Sequence, residues 1–362
     1  MSENLACGAA RSRALAFCRT YGLKVPILEA PMAGSCPAAR AAAVANAGGM
    51  GAFGAVIAGA EAIAAWAREL RAESRGAFQI NLWIPDPPPV RDAAREAEVR
   101  TFLGAWGPPV PADAGDIVLP DFDAQCEALL AARPTVASSI MGVFPPAFVE
   151  KLKSAGIAWF ACATTLAEAK EAERAGASAI VAQGFEAGGH RGAFDASAAE
   201  RQLVGLFALV PRLVDHLRVP VIAAGGIADA RGVAAALTLG ASAVQIGTAF
   251  LRSPETGTTA PWAALMTQLE PEATTTTRAF SGRLGRSIAN DYVRRANSPE
   301  VPRPAVYPVQ RGLAAPMRAE AGAKNDVQRM QAWAGQSAAL AREEPAGQFV
   351  KRVWSEAEAL LP

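Results

Sequence analysis

Residues 219–249, VPVIAAGGIADARGVAAALTLGASAVQIGTA, decide the fold of this chain. Two short apolar runs within them, 219–225 and 243–249, each predict a buried strand. The alanine-rich segment 229–239 between the two runs predicts a helix. A strand, a helix and a second strand in this order are typical of a parallel sheet whose faces are covered by helices.

The same alternation extends through the sequence that precedes this stretch. Six further strands are predicted, at 26–31, 50–55, 78–83, 135–141, 157–163 and 179–184. Helices are predicted between the strands, at 37–47, 60–73, 122–132, 146–155, 165–175 and 198–217. Eight parallel strands are the number that closes a barrel, so the predicted fold class is α/β, a (β/α)8 TIM barrel with a helical cap lobe.

Two segments do not follow the repeat. Residues 84–121 begin with IPDPPPV, and they predict an insertion with one charged helix around 90–103. Residues 252–330 follow the last strand and predict a mainly helical lobe over the active site, with another helix around 323–342. The predicted organisation is a barrel unit at 1–251, which includes the insertion, the lobe at 252–330, and C-terminal helices that pack back on the barrel at 331–362.

Composition and charge exclude several classes of protein. Hydrophobic residues make up 51% of the 362 residues and charged residues 19%, which excludes a wholly disordered chain. The 35 Lys and Arg residues against 34 Asp and Glu leave a net charge of +1, so neither nucleic acid nor an anionic membrane is predicted as a partner. The sequence shows no signal-peptide pattern and no apolar stretch of about 18 residues, which favours a cytoplasmic protein. The sequence does not predict the oligomeric state, and an oligomer stays open.

Cysteines and histidines are too few and too scattered to predict a metal site. No CxxC pair occurs, and the two histidines are His190 and His216. Scattered cysteines in odd number are typical of reduced thiols in the cytoplasm. They are Cys7, Cys18, Cys36, Cys126 and Cys162.

Polar residues and glycines at the ends of the predicted strands are the first candidates for function, because barrel enzymes place their active sites there. Each could instead be a barrel-layer residue or a helix cap. The candidates are Met32, Gly34, Asn81, Ser138, Ser139, Thr164, Thr165, Gln183, Glu186, Gly225, Gly226, Gln245 and Thr248.

The loops after the last two strands have the pattern of a phosphate site. Gly225-Gly226 follows the seventh strand, and the run Gln245-Ile246-Gly247-Thr248 ends the eighth. In barrels these two loops and a nearby helix N-terminus often bind phosphate through backbone N–H groups. The alternative is that the two glycines only permit a tight turn, with Asp229 as the N-cap of the next helix.

One histidine lies in a glycine-rich loop at the predicted mouth of the barrel. His190 belongs to the segment 183–192, QGFEAGGHRG, directly after the sixth strand. An imidazole can take or give a proton near neutral pH, so His190 is the candidate acid or base, unless it only binds a carbonyl group in its loop. His216 is expected on the surface near a helix end. Cys36 lacks a neighbouring base and is not expected to be a nucleophile.

Together these segments resemble the nitronate monooxygenase family, formerly called 2-nitropropane dioxygenases. The resemblance runs from about residue 23 to residue 345, and it is more specific for an FMN-dependent barrel than for one reaction. The segments that carry it are Ala30-Pro-Met32-Ala-Gly34, Ala47-Gly-Gly-Met-Gly51, Asn81-Leu-Trp83, Gln183 to Gly192, Ala223-Ala-Gly225-Gly226-Ile227, Gln245 to Thr248, Ser281-Gly-Arg283 and Trp333-Ala-Gly-Gln336.

The resemblance implies FMN-dependent oxidation of alkyl nitronates or nitroalkanes by O2 to a carbonyl compound and nitrite, with no nicotinamide cofactor. It makes His190 the catalytic base, which removes a proton alpha to the nitro group or holds the nitronate. Trp83 and Phe185 are expected as walls of the substrate pocket. The residues implied to hold FMN, with its phosphate at the last two strands, are Met32, Asn81, Gln183, Gly188, Gly225, Gly226, Gln245, Ile246, Gly247 and Thr248.

Three features depart from the pattern of the family. Glu29 stands where glutamine is frequent, the loop 34–37 reads Gly-Ser-Cys-Pro where a Ser-Thr-Pro pattern is common, and the Pro-rich insertion after Trp83 is not general. All three lie beside the expected pocket, so they bear on the substrate more than on the cofactor.

Three other functions stay open on the sequence alone. The segment 186–190, EAGGH, also resembles flavin-dependent enoyl-acyl-carrier-protein reductases, and some relatives are NAD(P)H:quinone reductases. Either reductase would bind a nicotinamide over the flavin. A non-catalytic flavin-binding protein would hold FMN without turnover, and a phosphosugar-type barrel enzyme without FMN would purify colourless.

Overall fold

An eight-stranded parallel sheet forms the centre of the molecule. The computed structural model describes residues 8–256 and 258–361, so Cys7 lies outside the described residues. All eight predicted strands are confirmed. They are β1 (Ile27–Glu29), β2 (Gly51–Gly54), β3 (Phe78–Trp83), β4 (Val136–Ile140), β5 (Ala158–Ala163), β6 (Ala179–Gln183), β8 (Val221–Ala224) and β9 (Ala243–Ile246), whereas the short strand β7 (Gly189–His190) belongs to a second sheet.

The sheet closes on itself. Its strand order is β1-β9-β8-β6-β5-β4-β3-β2, and every neighbouring pair is parallel. The two outer strands meet at Leu28 and Met50, where the Met50 amide donates to the Ile27 carbonyl at 3.1 Å and its carbonyl accepts from the Glu29 amide at 2.9 Å. The predicted (β/α)8 barrel is therefore confirmed.

Helices cover the outside of the barrel with one apolar face each. In α3, for example, Ile63, Trp66 and Leu70 recur at helical spacing and are buried. The helices are α1 (Gly8–Tyr21), α2 (Ala38–Asn46), α3 (Ala60–Glu73), α4 (Ala93–Gly104), α5 (Phe122–Ala132), α6 (Pro146–Ser154), α7 (Leu166–Ala175), α8 (Leu206–Val214), α9 (Ala230–Thr238), α10 (Ala260–Met266), α11 (Asp291–Ala296), α12 (Val309–Leu313), α13 (Ala315–Ala323) and α14 (Ala346–Leu360).

The helix predicted at 198–217 is wrong in its first half. A single 3-10 turn (Ala199–Arg201) stands there, and α8 begins only at Leu206. The carbonyl of Gln202 accepts a hydrogen bond from the Arg191 guanidinium at 3.0 Å. A continuous helix would engage that carbonyl internally, so the contact with the neighbouring loop competes with helix formation.

The helix predicted around 323–342 is also wrong. The chain leaves α13 at Ala323, and Trp333 forms a β-bridge with Ser287. Further along, the Gly335 amide donates to Oγ1 of Thr248 at 3.0 Å. These tertiary hydrogen bonds need the backbone groups that a helix would use, and they override the local preference for a helix.

The lobe after the barrel contains an antiparallel sheet that the sequence did not predict. Its strands are β10 (Thr274–Thr277), β11 (Gly285–Ile288) and β7, in the order β10-β11-β7. The pairing of Gly285 with His190 joins the lobe directly to the loop after β6. Four consecutive threonines in β10 are β-branched residues that favour strands, and this signal was present in the sequence.

The insertion and the C-terminal helix pack on different sides of the molecule. The insertion 84–121 contains α4, close to the predicted 90–103, and it packs on α12 so tightly that a Cβ atom at Gly312 would lie 1.9 Å from the Ala114 carbonyl oxygen. Helix α14 packs on α2 and α9 of the barrel. Within residues 8–256 and 258–361, no helix is long and apolar enough to cross a membrane.

Candidate active site

A cavity of about 410 Å³ opens at the C-terminal ends of the barrel strands, within the size range of small-molecule sites. Strand ends of the barrel form its floor, and residues of the lobe cover it. Nearly all the residues predicted for the site line this cavity. They are Met32, Asn81, Trp83, Ser138, Ser139, Gln183, Gly188, His190, Gly225, Gly226, Gln245, Gly247 and Thr248.

Other candidates have their side chains elsewhere. Thr165 caps α7, and the Glu186 carboxylate accepts from the Leu206 amide at the start of α8 at 2.9 Å. Ile246 packs in the core between barrel and helices. Phe185 does not line the cavity, contrary to the expectation that it forms a pocket wall, and the Arg286 guanidinium lies 4.2 Å from the centre of its ring. Gly34 and Thr164 are likewise absent from the lining of the cavity.

Free amide groups collect at the ends of β8 and β9. The backbone N–H groups of Gly225, Gly226 and Thr248 have no hydrogen-bond acceptor within the part of the chain that the structure describes. Gly225 and Gly226 have φ angles of +116° and +68°, which glycine adopts without strain. Asp229 does cap α9, through a 3.2 Å bond from the Gly232 amide, but this cap uses none of the three free donors. The arrangement can hold a phosphate group.

Two tryptophans and one serine fix the imidazole of His190. Its ring centroid lies 4.9 Å from that of Trp83 and 4.8 Å from that of Trp333. Its Nε2 atom lies 2.7 Å from Oγ of Ser281, which comes from the lobe. The ring is partly open to the cavity, so it can reach a bound ligand.

The hydrogen bonds of Ser281 bear on the tautomer of His190. The Ser281 hydroxyl has one proton and two neighbouring acceptors, Nε2 of His190 at 2.7 Å and the carbonyl oxygen of Arg283 at 3.3 Å. When the proton goes to the carbonyl oxygen, Ser281 accepts from the imidazole, Nε2 carries the ring proton and the lone pair is on Nδ1. In that arrangement the histidine can accept a proton at Nδ1.

The electrostatics of the cavity keep this histidine neutral. Burial, together with the positive charges of Arg311, Arg283 and Arg318, lowers the pKa of His190 to about 3. At neutral pH the imidazole is uncharged and its lone pair is free. An anion bound beside it would raise its pKa again, because the anion favours the protonated ring.

Two arginines of the lobe give the cavity a positive roof. Arg311 and Arg318 line it from α12 and α13, and neither forms an ion pair with any acidic residue among residues 8–256 and 258–361. Burial and the neighbouring Arg311 lower the pKa of Arg318 to about 10. Arg283, in contrast, is paired with Asp86 of the insertion. The unpaired charges favour binding of an anion.

The loop that carries His190 is held by its own side chains. The amide of Gln183 donates to the His190 carbonyl at 3.0 Å, and its oxygen accepts from the Gly192 amide at 2.8 Å. The Arg191 guanidinium donates to the Gln183 carbonyl at 2.6 Å. The side chain of Gln183 thus positions His190 as well as lining the cavity.

Sequence reasoning missed the residues of the roof. Tyr307, Arg311 and Arg318 were not candidates, because they lie in a segment outside the barrel repeat. A signal was present in the charge pattern, because the segment 303–319 contains Arg303, Arg311 and Arg318 but no acidic residue.

A closed parallel barrel with free amide groups at the ends of its last strands and a histidine at its mouth has the layout of a barrel enzyme. Comparison with known proteins gives the family. The family model described as nitronate monooxygenase matches residues 17–356. This chain belongs to the nitronate monooxygenase family, and it is a flavin-dependent oxidoreductase.

Individual relatives agree with this assignment. The chain is 42% identical over 339 residues to a nitronate monooxygenase of Paraburkholderia phytofirmans, covering 92% of each chain. The solved structure of a nitroalkane oxidase from Streptomyces ansochromogenes is 35% identical, with a TM-score of 0.87 and coverage of 94% of this chain and 98% of that chain. FabK from Thermotoga maritima is similar at 26% identity and a TM-score of 0.75, with coverage of 95% and 96%.

Proposed function

We propose that this enzyme uses FMN to oxidise alkyl nitronates and nitroalkanes with O2, giving a carbonyl compound and nitrite. The observation that carries the proposal is a neutral histidine with a free lone pair, placed in a cavity whose roof holds two unpaired arginines. Such a site suits a substrate that is either an acidic nitroalkane or the anion it forms.

The residues at the strand ends fit FMN. The free N–H groups of Gly225, Gly226 and Thr248 would hold its phosphate, and the rest of the cavity accepts a flat ring system. Bound FMN would supply the electron-accepting chemistry. We propose the complete set that would hold it as Met32, Asn81, Gln183, Gly188, Gly225, Gly226, Gln245, Ile246, Gly247 and Thr248. Ile246 does not line the cavity, and it would act by anchoring the strand end that carries Gln245 and Gly247 in the core.

His190 would move the proton. With the ring proton on Nε2 and in contact with Ser281, Nδ1 accepts the proton alpha to the nitro group of a neutral nitroalkane. The pair that forms, an imidazolium and a nitronate, is more stable than an isolated imidazolium in this cavity, because opposite charges attract strongly where water is excluded. For a nitronate that arrives preformed, no proton has to be removed.

Arg311 and Arg318 would bind the nitronate oxygens. Their charges are uncompensated inside the cavity, so an entering anion recovers part of the cost of burying them. Trp83 and Trp333 flank the imidazole and leave an apolar surface for the alkyl part of the substrate. We further propose a cytoplasmic location, since the described cysteines are buried free thiols.

Anaerobic stopped-flow absorbance of the purified holoenzyme tests the proposal. The enzyme is mixed separately with an alkyl nitronate, with NADH and with NADPH. We expect the flavin spectrum to change with the nitronate alone. Fast bleaching by NADH or NADPH without a response to nitronate would instead assign the protein to the flavin reductases. A colourless protein that cannot be reconstituted with FMN would contradict both functions.

A further inference from the structure

A buried ion pair lies directly beneath the loop that forms one wall of the cavity. Arg40 of α2 donates from Nε to the carboxylate of Glu29 at the end of β1, at 2.6 Å, and both side chains are fully buried. The second carboxylate oxygen of Glu29 accepts from the Ala52 amide at 2.9 Å. The pair is thus anchored to two neighbouring barrel strands.

The remaining donors of Arg40 reach two different segments. On one side, Nη2 donates to the carbonyl of Ser35, a residue that lines the cavity, and lies 3.2 Å from Sγ of Cys36. On the other side, Nη1 donates to Oγ1 of Thr256 at 2.6 Å and to the Phe250 carbonyl at 3.4 Å. One guanidinium therefore bridges the loop after β1 and the turn after β9.

Cys36 extends this network to the wall itself. Its sulfur accepts a hydrogen bond from the Met32 amide at 3.0 Å and lies 3.5 Å from the Ala30 carbonyl, and both residues line the cavity. Burial raises the pKa of the Cys36 thiol to about 12, so it stays protonated and acts as a hydrogen-bonding group. These contacts fix the backbone of the loop from below.

We propose that Arg40, held by Glu29, is a positioning residue that sets the distance between the two walls of the FMN site. The first wall is the loop 30–36, and the second is the turn 247–252, which contains the free amide of Thr248. The inference rests on the proposed FMN site, but it concerns residues that never touch the cofactor. A planar five-donor group suits this role, because it can reach both segments at once.

Substitutions of Glu29 and Arg40 distinguish an effect on the geometry of the FMN site from an effect on the stability of the fold alone. Removing one partner leaves a buried charge alone, whereas replacing both with neutral groups relieves that penalty. We therefore expect Arg40→Met to lower both the unfolding midpoint and the affinity for FMN. The double variant Glu29→Gln/Arg40→Met should recover much of the midpoint but not the affinity, because the tether to Ser35 and Thr256 is still missing.

The measurement is the FMN dissociation constant, from flavin fluorescence released on dilution of the holoenzyme. We expect it to rise at least tenfold in both Arg40→Met variants. Arg40→Lys should keep the charge pair and the fold, yet it should also weaken FMN binding severalfold, since an ammonium cannot span both segments. The matched control is Glu344→Gln/Arg352→Met, an ion pair remote from the cavity, for which we expect less than a twofold change.

Each outcome tests either the proposed function or the role of Arg40. Wild-type protein that binds no FMN would overturn the proposed function. Tight wild-type binding together with unchanged binding in the double variant and in Arg40→Lys would overturn the role of Arg40. Equal weakening in the control pair would show that FMN affinity follows general stability, and it would also overturn that role.

Discussion

Nε2 of His190 lies 2.7 Å from Oγ of Ser281, so a residue of the lobe fixes the ring of a histidine that follows a barrel strand. When the Ser281 hydroxyl donates to the Arg283 carbonyl, this contact holds the ring proton on Nε2 and leaves Nδ1 as the acceptor. In the proposed function the barrel supplies the base, and a hydrogen bond from the lobe selects which of its two nitrogens accepts the proton.

Ser281→Ala should remove this control over the tautomer while leaving FMN bound. We expect kcat/KM for a neutral nitroalkane to fall about tenfold, the size of effect that losing one hydrogen bond to an acting group produces. Steady-state kinetics with a nitroalkane check this. Ser74→Ala is the control, since its hydroxyl accepts from the Gly76 amide at 3.0 Å and Ser74 does not line the cavity. Equal losses in both variants would count against the assignment.

His190→Asn should separate proton removal from oxidation. We expect turnover of neutral nitroalkanes to fall by about 10²- to 10⁴-fold, the usual contribution of a general base, with FMN still bound. Turnover of preformed nitronates should fall much less. His216→Asn, on the surface with its ring at the Arg212 carbonyl, should change neither rate. Normal turnover of a neutral nitroalkane by His190→Asn would show that His190 is not the base.

The pKa of His190 predicts how activity and stability depend on pH. Since it lies at about 3, the free enzyme should show no titration of this residue in kcat/KM between about pH 5 and 8. In the unfolded chain the pKa returns to about 6.5, so the unfolded state binds the proton first as pH falls. The stability of wild type relative to His190→Asn should therefore decrease from about pH 6.5 toward pH 4. Denaturant unfolding at several pH values measures this, and an unchanged difference would contradict it.

Arg311→Met should weaken binding of the anionic form of the substrate. We expect KM for a nitronate to rise about tenfold, equivalent to about 1.4 kcal/mol, with a smaller change for a neutral nitroalkane. The pKa of His190 should rise at the same time, because one of the cations that lower it is gone. Arg303→Met is the control, as that arginine is exposed in the same segment. A KM that rises equally for both forms would exclude charge as the cause.

Gly312→Ala should loosen the contact between the insertion and α12. The new Cβ atom would lie 1.9 Å from the Ala114 carbonyl oxygen, so one of the two elements must move, at a cost of about 1–3 kcal/mol. Gly322→Ala in α13 meets no atom within 4 Å and should stabilise the protein slightly. Thermal unfolding of both variants tests the difference. Equal midpoints would mean that the insertion does not pack tightly on α12.

The barrel was predictable from sequence because each strand carries its own local signal. Apolar runs such as 179–183 are typical of buried parallel strands, and the glycines at 225 and 226 mark the loop that we propose binds phosphate. The path of residues 323–342 was not predictable, since it depends on hydrogen bonds to Thr248 and Ser287 far away in sequence. The arginines of the roof were not predicted as site residues for the same reason, because their role depends on how the lobe folds over the barrel.

The pairing of β7 with β11 also limits how the protein can move. His190 and Gly285 are partners in one sheet, and the Arg191 amide donates to the Leu284 carbonyl at 2.8 Å. A lobe that swung open as a lid would have to break these backbone hydrogen bonds and pull the histidine out of place. We therefore expect substrate and product to pass through an opening that exists while the lobe stays docked, so that lifting of the lobe does not limit turnover.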